Sequence, residues 1–188
     1  MKKGEISEII QGLSVLKNQK LQYGFRMGAS GGFGFGPMIE AEGLVMTDEG
    51  IAHGVKTVAK YALHIECMFR MICGSHIIFA KHDVFLPSSK IYTGEDFDWE
   101  SFDYDVLGNN KLDELMEKYI SPDSPELIVE DLAVNKFGDL KIKLTNSFVL
   151  ELFSDASGDS ENWRFFDFGV RDAKHLVILG DGIEEDDE

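Results

Sequence analysis

Cysteine is nearly absent: Cys67 and Cys73 are the only two in 188 residues. Neither belongs to a CxxC pair or to a zinc-type Cys/His spacing, which leaves neither a disulfide scaffold nor a zinc module to consider. Both sit in or beside an apolar stretch and read as buried free thiols in a reducing cytoplasm. Long hydrophobic runs are also missing. No stretch approaches the roughly 18–20 apolar residues of a membrane helix. The opening MKKGEISEIIQG lacks the apolar core of a signal peptide. The expectation is a cytoplasmic chain with no membrane partner. Basic residues are scarce too, 18 Lys+Arg against 34 Asp+Glu, for a net charge of -16. A nucleic-acid binder needs clustered Lys and Arg to displace counterions from phosphates, and this chain has no such cluster.

The apolar fraction is 44%, enough for a core without staples. The length predicts one domain over 1–183, followed by a disordered acidic tail at 184–188. The acidity is unevenly placed. Residues 1–91 sum to +2, residues 92–131 to -11, residues 132–180 to -1 and residues 181–188 to -6. One middle segment and the tail therefore carry the whole excess. Such a field keeps a protein soluble, and it also steers a basic partner in.

The periodicities predict an α+β fold dominated by antiparallel sheet. Ile6, Ile9 and Ile10 stand at helical spacing in a short N-terminal helix ending near Gly12. LSVL (13–16) and LQYGFRM (21–27) read as strand-like pieces. GASGGFGFG (28–36) reads as a turn and a bulged or closely approached strand, since each glycine costs about 1 kcal/mol in a helix interior. In YALHIECMFRM (61–71), Tyr61, Leu63, Ile65, Cys67, Phe69 and Met71 share one parity, and His64, Glu66 and Arg70 share the other. HIIFA (76–80) follows Gly74-Ser75 as the second arm of a hairpin. Residues 92–108 interleave acids with Phe97, Trp99, Phe102 and Tyr104 and read as an ordered loop. The clearest helix is at 109–120, capped by Asn109 or Asn110, with a stripe of Leu112, Leu115, Met116 and Tyr119. LIVEDLAV (127–134), DLKIKL (139–144), SFVLELF (147–153), WRFFDFGV (163–170) and HLVILG (175–180) complete the strands. Their short links suit antiparallel pairing, because parallel strands need long crossovers. An internal echo is also present. An aromatic strand bearing an Arg precedes a His-led apolar strand in both halves, which suggests related lobes at 13–91 and 127–180 joined by 92–126.

Several catalytic and binding signatures fail on inspection. The glycine run continues into Pro37-Met38-Ile39-Glu40, without the lysine and helix of a phosphate loop. No GxSxG or HExxH occurs among the serines and five histidines, so no metal and no cofactor is expected. His82-Asp83 reads as a surface turn. Asp155 and Asp159 around Gly158 lack the fixed acid spacing and flanking helices of a calcium loop. That loop instead reads as the segment that delivers Glu161, Trp163 and Arg164 into an intersheet cluster. His64 and Glu66 lie about 7 Å apart on one strand face, close enough to share a proton or a ligand. Arg70 would pair with Glu66 or Glu161 in an internal network, or clamp an anion.

LHIECMFR (63–70) resembles the LHI-x-C-x-W-R phrase of a family of small bacterial proteins with no established activity, with Phe69 where that family commonly shows Trp. ELFSDASGDSENWRFF (151–166) resembles the family's second phrase, which contains E-x-W-R-x-F. Asp83 and Asp98-Trp99 sit where its acids are expected. The likeness touches about a third of the chain. By analogy, small acidic proteins of this type resemble the immunity proteins of bacterial toxin systems.

Two functional expectations follow, with a third behind them. The first is a non-enzymatic, immunity-like protein engaging a basic protein partner, such as a toxin, through Asp96, Asp98, Trp99, Glu100, Asp103 and Tyr104. Acids would steer the encounter and aromatics anchor it. The second is a small-molecule binder or enzyme for an anionic ligand, built on His64, Glu66, Arg70, Glu161, Trp163 and Arg164, with His64 or Glu66 as general base. The third is a structural domain of a larger assembly.

Overall fold

The computed structural model describes residues 1–47, 50–170 and 175–184. The part of the expected acidic tail from 185 onward lies outside the described residues. Among these residues two α-helices, α1 (Lys3–Leu13) and α2 (Lys111–Tyr119), accompany ten strands. The strands are β1 (Leu21–Met27), β2 (Ser30–Thr47), β3 (Gly50–Ile65), β4 (Met68–Cys73) and β5 (His76–Ala80), then β6 (Val129–Val134), β7 (Leu140–Leu144), β8 (Phe148–Phe153), β9 (Glu161–Asp167) and β10 (Leu176–Leu179). All pairings are antiparallel. They form two five-stranded sheets, ordered β1-β2-β3-β9-β10 and β5-β4-β8-β7-β6. The fold is α+β, as the periodicities predict. Among the described residues no helix is long and apolar enough to cross a membrane.

The two halves of the chain follow one plan. Each runs helix, three strands, then two more, with α1 and β1–β5 in the first half and α2 and β6–β10 in the second. In each half the first three strands build one sheet, and the last two cross over to extend the other half's sheet beside β8 or β3. The helices cross as well: α1 packs on β6 and α2 on β1. Where β1 and β6 begin, the Leu21 N–H donates to the Leu127 carbonyl at 2.8 Å and the Val129 N–H to the Gln19 carbonyl at 2.9 Å, a reciprocal pair. The two halves therefore correspond in topology, with strands exchanged between the sheets.

The crossover explains why 61–71 is two strands and not one. The N–H groups of Glu66 and Cys67 both donate to the Asn162 carbonyl, each at 2.9 Å, and there the chain leaves the first sheet for the second. Parity survives the transfer, so Ile65, Cys67 and Phe69 all remain buried. Phe33 of β2 meets Phe69 edge-on at 5.7 Å and stacks over Phe79 at 6.3 Å, joining the sheets in one core. Each such ring contributes about 1.5–3 kcal/mol by leaving water.

Residues 14–16 form a 3-10 turn where a strand piece was expected. Leu13 and Leu16, both fully buried, are spaced for one turn of helix, and so short an apolar segment fits either period. Gly28 takes the left-handed φ of +58° at the β1–β2 turn, and β2 bulges between Phe35 and Met38. Beyond that bulge β2 and β3 pair with each other as far as Thr47 and Gly50, as a two-stranded ribbon. In α2, Asn110 accepts the Asp113 N–H at 2.9 Å as its cap, and Leu112 and Met116 are buried.

Candidate functional site

The segment before α2 is ordered from beneath by Arg26, which sequence reasoning did not single out. Its side chain is 4% exposed and donates to Asp113 from Nε at 2.8 Å and from a terminal nitrogen at 3.1 Å. The same guanidinium donates to the carbonyls of Tyr104 (2.8 Å), Asp105 (3.2 Å) and Val106 (3.3 Å). Asp113 also accepts the Gly108 N–H at 2.8 Å and the Asn110 Nδ2 at 3.0 Å, and Asn110 donates to the Tyr104 carbonyl at 3.0 Å. A buried ion pair with its remaining hydrogen-bonding capacity satisfied thus holds one end of the loop. Only the partners' sequence distance, 78 to 87 residues, hides this pair from a reading of local motifs.

On that base the aromatics cluster. Phe97 meets Trp99 edge-on at 5.0 Å and Phe102 at 5.8 Å, and Tyr92 lies 5.4 Å from Phe97. Tyr104 turns the other way, edge-on to Phe85 at 5.2 Å and packed against the core. Asp96, Asp98, Glu100 and Asp103 are exposed, and Trp99 is 56% exposed. Among the described residues, none of these four acids has a basic nitrogen within 4.0 Å. Asp98 and Asp103 cap local turns, accepting the Glu100 N–H at 3.0 Å and the Asp105 N–H at 2.9 Å. Asp96, Asp98 and Asp103, with Phe97 and Phe102, border a hollow of about 330 Å³.

The second set of expected residues is divided by the fold. His64 and Arg164 face each other across β3 and β9 on the outside of the first sheet. Arg164 pairs with Glu161, with Nε 2.6 Å from Oε1 and a second bond to the other oxygen. That bond raises the guanidinium's pKa against the opposing effect of burial. Glu66 is exposed and accepts the Ser30 hydroxyl proton. Arg70 is elsewhere. It stands on β4 of the second sheet, in register with Glu151 of β8, and binds that carboxylate at 2.7 Å with Lys141 at 3.0 Å. The expected pairing of Arg70 with Glu66 or Glu161 is thus replaced, because the crossover at Glu66–Cys67 moves it to another sheet. Burial opposes ionisation of Glu151, but the bonds from Arg70 and Lys141 outweigh it and hold the carboxyl below its ordinary range. Trp163 is fully buried, its Nε1 donating to the Gly138 carbonyl at 2.9 Å. The 154–160 loop therefore delivers Trp163 to the core but Glu161 and Arg164 to the outer face.

Buried Asn162 accepts the N–H groups of Asp155 (2.9 Å) and Ala156 (3.0 Å) on its side-chain oxygen, fixing that loop. His175 stacks on Phe166 at 4.8 Å, and its pKa is lowered first by burial and then by the Arg164 charge. His82 and Asp83 lie in a 3-10 turn, where Asp83 accepts the Ala80 N–H at 2.9 Å. Both cysteines are free thiols. Burial pushes the Cys67 thiol up to about 12.

Fold and surface together define an α+β protein of two strand-exchanging halves with an acidic, aromatic loop seated on a buried Arg–Asp pair. No protein-family model, no curated protein and no solved structure matches the chain.

Proposed function

We propose that this chain is a non-enzymatic binding protein that engages a basic protein partner through residues 92–107, in the manner of an immunity protein. The hollow bordered by Asp96, Asp98 and Asp103 carries the reading. Its acids have no basic neighbours among the described residues, Phe97 and Phe102 help to line it, and exposed Trp99 packs against Phe97. A Lys or Arg side chain entering it would meet carboxylates and an aromatic face together, the pairing that makes interfacial anchors. The rest of the negative surface would speed the encounter. The small-molecule alternative loses Arg70 to the other sheet, and Arg164 is already neutralised by Glu161.

The test is a capture experiment run in parallel with the native chain and the variant Asp98→Lys/Glu100→Lys/Asp103→Lys. A basic protein held by the native chain at low salt, shed at high salt and not held by the variant supports the reading. Equal capture by both chains, or capture by neither, refutes it. For a partner so identified, Trp99→Ala weakens binding by about 2 kcal/mol or more, as for a buried aromatic anchor.

A further inference from the structure

The correspondence between the halves allows the outer faces of the two sheets to be compared position by position. On the second sheet Arg70, Glu151 and Lys141 stand side by side on β4, β8 and β7, and Lys143 pairs with Asp131 at 3.6 Å in the next row. One row of that face alternates in charge, and the next ends in an ion pair. The matching rows of the first sheet read Arg164, His64, Gly32, Phe25 and Phe166, Ala62, Gly34, Tyr23. Glycines stand where the second sheet has Lys141 and Lys143, and aromatic rings fill the space. A Cβ at Gly32 would come within 2.2–2.6 Å of three atoms of the Phe25 ring, and one at Gly34 within 2.6 Å of Tyr23. The rings therefore lie down across β2. Tyr23 reaches over it so that its hydroxyl oxygen accepts the Ala59 N–H of β3 at 3.0 Å.

The result is a floor and a wall. Tyr23 and Phe25 lie 6.0 Å apart, and the His64 ring continues from Phe25 at 5.8 Å with an angle of 31°. Phe166 stands at 89° to His64, with His175 stacked on it at 4.8 Å. Beyond Phe166 the face opens into a groove of about 580 Å³ edged by Glu40 and Glu42 of the ribbon and by Phe168. Tyr23, Phe25, His64 and Phe166 are all half-buried, which leaves part of each ring open to solvent.

We propose that this outer face is a binding platform for a neutral glycan, with a pyranose ring laid on Phe25 and His64 and bounded by Phe166. A sugar ring offers an apolar C–H face to an aromatic floor and hydroxyls to a polar rim. Among the described residues the rim here is polar but balanced. Arg164 is bound by Glu161, and Glu66 with the Ser30 oxygen offers acceptors for sugar hydroxyls. An anionic ring ligand would need a free cation at that rim, and a chain of net charge -16 would repel a polynucleotide. The proposal is independent of the partner reading, since none of its residues lies in 92–107.

The test is saturation-transfer NMR on the intact chain with cellotetraose, maltotetraose, chitotetraose and xylotetraose, each at about 1 mM, a range suited to weak ligands. At least one of the four receives transfer on its ring C–H protons, and Phe25→Ala weakens that binding roughly tenfold, the scale of one lost stacking contact. His64→Ala, at a smaller half-buried ring, gives the same direction where Phe25→Ala disturbs folding. Lys143→Ala, at the matching place on the other sheet, leaves binding unchanged. Transfer to none of the four probes, transfer equal in native and both ring variants, or displacement of the sugar by adenosine monophosphate overturns the proposal.

Discussion

Replacing Arg26 by Met tests the claim that a buried ion pair holds the acidic loop in place. The substitution keeps an unbranched side chain in β1 and removes the charge. Asp113, 9% exposed, then loses its only charged neighbour within 4.0 Å among the described residues and keeps the Gly108 N–H and the Asn110 amide. Removing one member of a buried pair costs about 3–5 kcal/mol, chiefly because the other charge stays buried. The three carbonyls at 104–106 also lose a charged donor, but they lie near the surface and water can replace it. The buried-pair figure is therefore the expected total. At about 2–4 °C per kcal/mol for a chain of this size, the melting temperature falls by about 6–20 °C. Urea unfolding followed by circular dichroism gives the free energy, and hydrogen exchange at 104–106 shows whether the loop opens first. The double variant Arg26→Met/Asp113→Leu leaves no orphaned charge and recovers more than half of the loss. A cost of Arg26→Met below about 1 kcal/mol, the level of a surface pair, or a double variant no more stable than the single, would refute the argument.

Three other outcomes are expected. Because Glu151 titrates below its ordinary 4.5, its stabilising contribution is present in full above that value and fades as pH falls through the depressed folded value. Glu151→Gln should therefore destabilise the protein near neutral pH, and the difference from the native chain should shrink in acid melts. Asn162→Ala removes the acceptor of the part-buried N–H groups of Asp155 and Ala156 and costs about 1 kcal/mol by denaturant titration. Cys67, with its thiol pushed up to about 12, stays unmodified by a thiol reagent at pH 8 until the protein unfolds, which mass spectrometry of the labelled chain reads directly.

Much of the sheet structure is legible in the residues because half-buried strands alternate. LQYGFRM, HIIFA and SFVLELF correspond to observed strands within a residue or so, and the Leu112–Met116 stripe with its Asn110 cap locates α2. What escapes is where alternation carries no signal. The change of sheet at Glu66–Cys67 keeps the same parity on both sides, so period two runs through it unbroken. Arg70 consequently looks like a neighbour of Glu66 when its partner is Glu151, on a strand 81 residues away. Arg26 is a lone charge in an otherwise strand-like segment, and its meaning appears only when Tyr104–Asp113 is folded against it. The acidic loop itself was readable, because acids interleaved with large aromatics are costly unless the rings cluster. Its internal division was not: Tyr104 faces inward while Trp99 faces out.

The exchange of strands between the halves has a consequence for folding. β4 and β5 find their neighbour in β8, and β9 and β10 find theirs in β3, so neither half contains its own finished sheet. A fragment ending near residue 91 would leave β3 without β9 and β4 without β8, two long open edges prone to aggregation. Assembly must wait for contacts between residues far apart along the chain, which slows the search. Once formed, the interlock joins the halves into one cooperative unit that melts in a single transition. Two separately expressed fragments, cut in the loop between β5 and α2, would each lack a finished sheet alone and regain the fold only on mixing.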